Sequence, residues 1–522
     1  MDELLYGARL PRAAAMSLPS RALGGLIGIS LLLPLLPGTS LAGSQTEAEG
    51  AMPTELLEAR SLLRGAQRLT LTEAVGSSLL HNPSLQASFA TIQASEWNLI
   101  ANQRRWLPTA SVQASPGTTL LGQVFDTTVA RYPNNTSSTF ATSTYNSSYN
   151  NFSNYGNASL GLILSWSFFD PSRQPAINTA DANLKAQKLT FNVVARSLVL
   201  NTETLYNTLN ETQQLINTYE QIYRENQRQL NLVNAQFKAG MTNIGDAEQK
   251  KTQLLIQLNQ LILMYRQQAR NASELAASIG AEPGSAVLPG EQPADPPAWP
   301  LSLEATVQEG LQLREEIQAS LAEAAAAQWD ARRLVNTYLP VLMLTGTAYG
   351  YRGQGTFSAN VGQDASPFYS RQYAADASVG LGLRWDFLDG GIRGAQAKQA
   401  NFEARALQNQ AQQNRLSVGN QIRSSYATYL TARVGLPAAQ LAYASSQKAV
   451  LVAGKRYEVG LGTMTDLIQA TSQLGEAATN LSAMRLNYSN AIAELYRYSA
   501  QWPIANRSEI VRGLQALQQK NR

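Results

Sequence analysis

Ser159-Leu160-Gly161-Leu162-Ile163-Leu164-Ser165-Trp166-Ser167-Phe168-Phe169-Asp170 is the stretch from which the fold is read. Side chains alternate sides of a strand, so Leu160, Leu162, Leu164, Trp166 and Phe168 share one face. The other face carries Gly161, Ile163, Ser165 and Ser167. Asp170 and Pro171 follow at once, an acceptor suited to capping a helix and a proline where a missing N–H costs nothing. A polar, helix-forming run continues to about Ala239, so the spacing predicts a strand that feeds directly into a very long helix.

The pattern recurs. Ser378-Val379-Gly380-Leu381-Gly382-Leu383-Arg384-Trp385-Asp386-Phe387-Leu388-Asp389 matches the first stretch without a gap at an offset of 219. Its apolar face is Val379, Leu381, Leu383, Trp385 and Phe387, and Arg384 and Asp386 stand on the opposite face. A strand of a soluble sandwich can alternate in this way. Charges opposite a wholly apolar face fit a barrel wall better, apolar toward lipid and polar toward a watery lumen.

Composition narrows the possibilities. The chain has 522 residues, 15% of them charged, and a formal net charge of +4, with no basic cluster interleaved with aromatics to suit nucleic acid. Cysteine is absent, which removes disulfides, thiolate metal sites, cysteine catalysis and a lipid anchor through an N-terminal Cys. Arg9, Arg12 and Arg21 precede the apolar segment Ala22 to Leu36, and Ser40-Leu41-Ala42 offers small residues for cleavage, so residues 1–42 read as an export signal. An uncleaved anchor is the other reading, but this apolar run falls short of the ~20 residues of a spanning helix. No later segment offers 18 uninterrupted apolar residues, so any membrane span is a β-barrel.

In chain order, residues 43–68 form a mature leader of undecided structure. A helical pattern opens at Leu69-Thr70-Leu71-Thr72-Glu73, runs to about Arg105 and closes at Leu107-Pro108, and a second runs from Leu301-Ser302-Leu303-Glu304 to Leu339-Pro340. The two align at an offset of 232, sharing Leu69/Leu301, Val75/Val307, Leu79/Leu311 and Trp97/Trp329. A period above 200 residues repeats a whole domain, giving a first repeat at 69–280 and a second at 301–502. Between them, 281–300 contains six prolines and reads as an extended connector, and 503–522 is a polar C-terminal tail expected to be peripheral or disordered.

Within the first repeat, Thr109 to about Val124 is a plausible strand, with Pro116 and Gly117 as a break or an edge. Residues 125–157, dense in Asn, Ser, Thr and Tyr, suit a long outer loop. The second repeat repeats the plan, with a strand at about 341–351, a loop at 353–375 and a strand at 378–388. The helix from Pro171 to Ala239 carries a heptad seam through Leu205, Leu209, Thr212, Ile216, Tyr219, Tyr223, Asn226, Leu230, Val233 and Phe237. After Gly240 a second seam runs through Leu254, Leu258, Leu261, Tyr265, Ala272, Leu275 and Ile279, so the pair forms an antiparallel hairpin. The corresponding long helix of the second repeat contains Gly435-Leu436-Pro437, expected to kink or interrupt it. In each repeat one long helix lies beside two half-length helices placed end to end. Four strands per chain are too few to close a barrel, so copies must assemble to make a wall, continued inward by a helical barrel.

These residues resemble the TolC-like outer-membrane efflux family. The resemblance rests on the Leu69-Thr70-Leu71-Thr72-Glu73-Ala74 opening, Asn82-Pro83-x-Leu85, the Leu-Pro helix ends, the paired Trp-x-Phe strand ends and the Tyr457-x-x-Gly460…Asp466 turn. It covers about residues 69–502. It implies a fold of mostly α, α+β class, in which a homotrimer forms a transmembrane β-barrel continued by a periplasmic α-helical barrel of coiled coils. It also implies an exit duct in the outer membrane of a Gram-negative-type cell, serving a tripartite efflux pump or type I secretion of small molecules or proteins. The partners implied are a periplasmic adaptor (membrane fusion) protein, an inner-membrane ABC or RND-type transporter and outer-membrane lipid. An exported coiled-coil structural protein without a pore is the alternative.

The resemblance also points to residues. Aspartates just after the second turn line the family's inner tip, and Asp466 falls on one such position, with Asp246 its partner by internal alignment. Gln469 stands where the family often has a second acid, and Gly462 where it commonly has an arginine, so of the family's Tyr–Arg–Asp latch only Tyr457 remains. Independently of the family, Thr463-x-x-Asp466 and Asn243-x-x-Asp246 suit helix caps, and capping and a lumen-facing role can coexist. Gly240 and Gly460 suit left-handed turns. Trp166, Trp385, Trp106 and Tyr338 are placed to form an interfacial girdle or, alternatively, to pack in the core, and Arg104 and Arg105 to reach lipid head groups or simply to be solvated. His81, the only histidine, has Leu313 as its counterpart in the second repeat, and no phosphate-cradling loop, metal-ligand spacing or nucleophile–base set is present, so no enzyme, cofactor or metal is expected.

Overall fold

In the computed structural model the described residues are 54–130, 144–292, 294–359, 368–503 and 506–520; the export signal expected at 1–42 lies outside them. The first repeat runs α2 (Leu71–His81), α3 (Pro83–Arg104), β2 (Thr109–Ala130), β3 (Thr144–Phe169), α4 (Arg173–Lys238) and α5 (Ile244–Ser278). The second runs α6 (Leu303–Leu313), α7 (Glu315–Asn336), β5 (Val341–Ala359), β6 (Phe368–Arg384), α8 (Ile392–Glu458) and α9 (Met464–Tyr498). Outside the repeats lie α1 (Thr54–Ser61), β1 (Gln67–Leu69), β4 (Val287–Pro289) and α10 (Arg507–Lys520). β1 and β4 pair in parallel, so the leader and the connector are both anchored to the first repeat.

The duplicated strands form one antiparallel sheet in the order β2-β3-β5-β6. Its register places Trp166 opposite Leu344 and Leu344 opposite Leu381, while Val112, Leu162 and Ala348 form the next row but one outward. Leu160, Leu162, Leu164, Val379, Leu381 and Leu383 are all exposed, so an apolar band crosses the sheet with nothing covering it. The reverse face carries Ser111, Gln113, Ser165, Thr345, Thr347, Ser378 and Arg384. From Leu160 to Phe168 the apolar stretch covers ~26 Å at 3.3 Å per residue, the height of the apolar band on a membrane barrel.

The strands are longer than expected. Much of 125–157 is not loop, since β2 reaches Ala130 and β3 begins at Thr144, in register from end to end; of that segment, 131–143 lies outside the described residues. The expected loop at 353–375 likewise shrinks, with β5 reaching Ala359 and β6 starting at Phe368. A polar composition suggests a loop, but ladder hydrogen bonds to a neighbouring strand hold Asn- and Ser-rich backbone extended just as well. Pro116 lies inside β2, which pairs with β3 alone and so is an edge strand within the chain, the place where a sheet tolerates proline.

The helical pattern before each first strand divides in two. Pro83 cannot donate to the preceding turn, and the Asn82 side chain accepts from the Ser84 and Leu85 N–H groups, ending α2 and starting α3. α4 has 66 residues, ~100 Å at 1.5 Å per residue, and packs on α3 and α5 along one side and on α7 and α9 along the other. α8, of 67 residues, packs on α7 and α9. Each long helix therefore lies beside half-length helices, as the length count requires. Pro437 does not interrupt α8: Leu436 and Ala439 bury against Leu481 of α9, and this packing holds the helix across the one missing hydrogen bond.

Seam residues Leu209, Ile216, Tyr219, Tyr223 and Val233 are buried, as are Leu254, Leu261, Tyr265, Ala272, Leu275 and Ile279 opposite them. A buried ionic cluster joins the repeats at mid-length: Arg196 to Glu315 at 2.8 Å, and Arg314, at 2.8 Å, and Arg497 to Glu316. Burial pushes the Glu316 carboxyl up, yet the two guanidiniums outweigh it and hold it at about 2. The C-terminal stretch is not disordered where described: α10 docks on α2, with Ile510 fully buried against Val75 and Leu79.

Candidate functional site

Two places concentrate the residues singled out: the tips of the helical hairpins and the joints between strands and long helices. At the tips, Gly240 and Gly460 hold φ of 73° and 75°. In each case the next residue closes the helix end, Met241 N–H onto the Gln236 carbonyl and Leu461 N–H onto Arg456, both at 2.8 Å. The following helices start on side-chain caps. Asn243 Oδ1 accepts the Asp246 N–H at 2.9 Å. Thr463 and Asp466 cap each other reciprocally at 3.1 Å.

Both aspartates are thus engaged in their own turns, as the capping reading expects. Asp246 accepts from the Thr242 hydroxyl at 2.8 Å and is half-buried, whereas Asp466 is exposed. The Thr463 hydroxyl and N–H hold the Asp466 carboxyl below its ordinary range, helped by the positive charge of Arg456. Tyr457 ties one tip to the other. Its ring packs with Val233 and Ala247 of the first hairpin and Met464 and Leu467 of the second, and its hydroxyl bonds to Thr242. Burial pushes its phenol up, and the nearby Asp246 carboxylate adds to the shift.

Position 462 is closely approached by the end of the preceding helix. A Cβ there would lie 3.1 Å from Arg456 Cβ and 3.3 Å from the Tyr457 nitrogen. Sequence reasoning missed Arg456 itself, which lines one groove with Lys448, Gly462 and Asp466. Two cations therefore flank the exposed acid. A second omission is Lys250, fully buried one turn beyond Asp246, whose Nζ donates at 2.6 Å to both Asn226 and Gln229. Burial lowers its pKa to about 8, Glu225 opposing. Only its place near a heptad seam could have pointed to it.

At the joints, Trp166, Trp385 and Trp106 are partly exposed, with Trp166 the least so at 38%, which places them outside any core. Each strand-end indole donates its N–H to a helix-end carbonyl at 2.9 Å: Trp166 to Trp106, Trp385 to Tyr338. Their rings lie beside Phe168 and Phe387 on the outward face. Arg104 and Arg105 are exposed, and Arg105 lines a groove with Asn98, Asn102 and Arg333. Arg173 and Arg393 at the joints were not foreseen, although both repeats carry an Asp followed within four residues by an Arg.

The described residues hold no group of three or more His, Asp or Glu arranged to take a metal ion, and no helix among them is long and apolar enough to cross a membrane.

A family model described as Outer membrane efflux protein matches residues 74–281 and again 306–501. The chain is 28% identical over 357 residues to Outer membrane protein TolC of Escherichia coli (strain K12), covering 66% of this chain and 70% of that one. It is 22% identical over 338 residues to Outer membrane protein TolC of Vibrio cholerae serotype O1, covering 65% and 75%. In structure it is similar to the Campylobacter jejuni CmeC outer membrane channel, with a TM-score of 0.63, 17% identity and coverage of 93% of this chain and 98% of that one. The outer-membrane channel OprN superposes with a TM-score of 0.64 at 18% identity, over 88% and 95%.

Proposed function

The chain belongs to the outer membrane efflux protein family, and from that premise we propose that three copies close a twelve-stranded barrel and a twelve-helix tunnel. The assembly is the exit duct of a tripartite pump. One observation carries this reading. The sheet order β2-β3-β5-β6 is matched by the helix order α3-α4-α7-α8, each helix continuous with the strand at the same place. One rotation therefore closes both layers at once.

The free edges support it. β2 and β6 each leave a row of backbone groups unpaired within the chain, which costs several kcal/mol per group in lipid. Below them, α8 exposes Phe402, Leu416, Leu430, Leu441 and Leu451, while α3 and α5 expose Trp97, Leu255, Ile256 and Leu263. These are the two outer flanks of the helical layer, and burying each against the other removes both from water.

The barrel sits in the outer membrane with Trp166, Trp385, Trp106 and Tyr338 at its periplasmic rim, and the helices stand in the periplasm. Their tips, with Met241, Ile244, Val459 and Leu461 exposed, meet a periplasmic adaptor that links the duct to an inner-membrane ABC or RND-type transporter. Asp466 from each copy lines the entrance. In planar bilayers the purified protein is expected to give discrete conductance steps from a species of three chains. In cells a cysteine placed at Met241, in a chain with no other cysteine, is expected to cross-link to an adaptor. A protein that stays monomeric in detergent and never conducts overturns the reading.

A further inference from the structure

The joint between strand and long helix is built twice, from different amino acids, to one plan. In the first repeat the Arg173 guanidinium lies 4.3 Å from the Trp106 ring centre and donates to the Ser167 carbonyl. In the second, Arg393 lies 4.6 Å from the Tyr338 ring and donates to the Asp386 carbonyl at 2.8 Å. Ser167 and Asp386 are equivalent, one residue past each strand-end tryptophan. The ring under each arginine belongs to the residue whose carbonyl accepts the tryptophan N–H. Each arginine therefore touches the end of the incoming helix, the end of the strand and the start of the outgoing helix. Planarity allows this: one guanidinium face stacks while its edge donates.

We infer that Arg173 and Arg393 are positioning residues that clamp the turn between barrel and tunnel and set the angle at which the tunnel leaves the membrane. This rests on the exit-duct reading. The turns they hold need a clamp. Asp389-Gly390-Gly391 passes through φ of 68° and 84° at its glycines, a backbone with little stiffness of its own. Both Arg393 and Gly391 N–H groups end on the Asp389 carboxylate at 2.9 Å, as does the Tyr338 hydroxyl. Arg393 Nε adds a fourth contact at 2.8 Å and its Nη1 bonds the Thr337 carbonyl at 2.6 Å. The Arg393 N–H, ahead of its side chain, holds the Asp389 carboxyl far below its ordinary range, so that carboxylate stays ionised at any periplasmic pH.

The two clamps are not equal. Arg173 is buried, yet its Nε and Nη1 find no partner, because Asp170 is spent on the Ser172 N–H and hydroxyl at 2.9 and 2.7 Å. The first turn borrows instead from the second repeat, with Asn336 donating to the Pro171 carbonyl at 2.9 Å. Arg393 is the stronger clamp.

The test compares R393M, R393K and R173M as inserted oligomers, by hydrogen exchange and single-channel recording. In R393M the amides of 389–394 are expected to exchange about 10-fold faster or more, the effect of losing one charge-assisted hydrogen bond, while the hairpin tips exchange as in the wild type. Its current is expected to flicker among lower levels. R393K, which keeps the charge toward Asp389, should recover part of both, and R173M should show the smaller change. Should R393M not insert, R393K is compared directly with the wild type. Wild-type exchange at 389–394 and a steady wild-type current in the inserted variant overturn the clamp. A wild-type protein that forms no pore overturns the duct reading instead.

Discussion

Tyr219 of α4 reaches across the seam between the two hairpins and bonds the Gly475 carbonyl of α9 at 3.1 Å, with the Thr479 hydroxyl also at 3.1 Å. The approach is possible because position 475 has no side chain: a Cβ there would lie 3.1 Å from the phenol oxygen. Neighbouring polar bridges, Asn207 to Asn490 at 3.1 Å and Ser482 to Glu211 at 3.3 Å, complete a hydrogen-bonded rather than greasy seam between the repeats.

Removing the hydroxyl should therefore loosen this seam without emptying a cavity. Y219F is expected to lose about 1 kcal/mol of stability and to raise the fraction of time the channel spends in its higher conductance level. G475A tests the same contact from the other side, since the ~1 kcal/mol helix gain of Ala over Gly is set against a displaced Tyr219. Recordings of Y219F that match the wild type would show that this contact does not restrain the channel.

Gly310 offers a sharper steric test. A Cβ at this buried position would lie 2.4 Å from Ile422 Cδ1 and 2.8 Å from the Tyr498 carbonyl oxygen. The isoleucine tip can turn away, but the backbone carbonyl cannot. G310A is expected to cost about 1–3 kcal/mol, seen as a lower temperature for loss of the heat-resistant oligomer, whereas G76A, at a position with nothing within 4 Å, should raise it or leave it unchanged.

At the tip of the second hairpin, Asp466 and Arg456 oppose one another in one groove. D466N should shift the reversal potential toward anions, and R456Q should shift it toward cations. Because the Asp466 carboxyl titrates below its ordinary range, cation preference should stay flat from neutral pH down to mildly acid pH and fall only below that. An unchanged reversal potential in D466N would mean that the residue caps its helix and does nothing for ions.

Glu203 links α4 to the segment that leads into the C-terminal helix. It is buried in α4, accepts from Asn506 at 3.1 Å, and Asn506 in turn accepts from Thr72 at 3.0 Å. Burial raises its pKa to about 7, with Asn506 opposing. A carboxyl whose folded value exceeds its unfolded one binds the proton more tightly when folded, so stability is greatest at acid pH and declines as pH rises through about 7. E203Q should flatten this dependence and gain about 1–3 kcal/mol at pH 8. Cleavage at Arg507 or Arg512 by trypsin, faster at pH 8 than at pH 6 in the wild type but not in E203Q, is the measurement.

Much of this architecture is legible along the chain. The alternation from Leu160 to Phe168, its repeat at offset 219 and the seams from Leu205 to Ile279 depend only on which side chains share a face; most of the seam is buried within the chain, and the apolar strand face is left exposed. The breaks at Asn82 and Arg314 are half legible: Pro83 announces the first, but the second has no proline, and its position is clear only from the Arg314 N–H ending on the Gly310 carbonyl at 3.1 Å. Asp466 is visible as a cap; Arg456 beside it is not, because a residue ten positions earlier becomes its neighbour only when the hairpin turns back at Gly460.

By itself the sequence determined the periodic features: strand faces, helix seams, turn glycines, the duplication and the capped helix starts, each set by a residue's own geometry or by neighbours a few positions away. The tertiary structure alone decided that the polar run at 144–157 pairs as strand, that Pro437 stays inside an unbroken helix and that α10 docks on α2. It alone brought Arg173 onto the Trp106 ring and Arg393 onto the Tyr338 ring. The physical reason is that these outcomes rest on hydrogen bonds and packing between segments tens to hundreds of residues apart, whose strength exceeds local preference and whose partners no local pattern names.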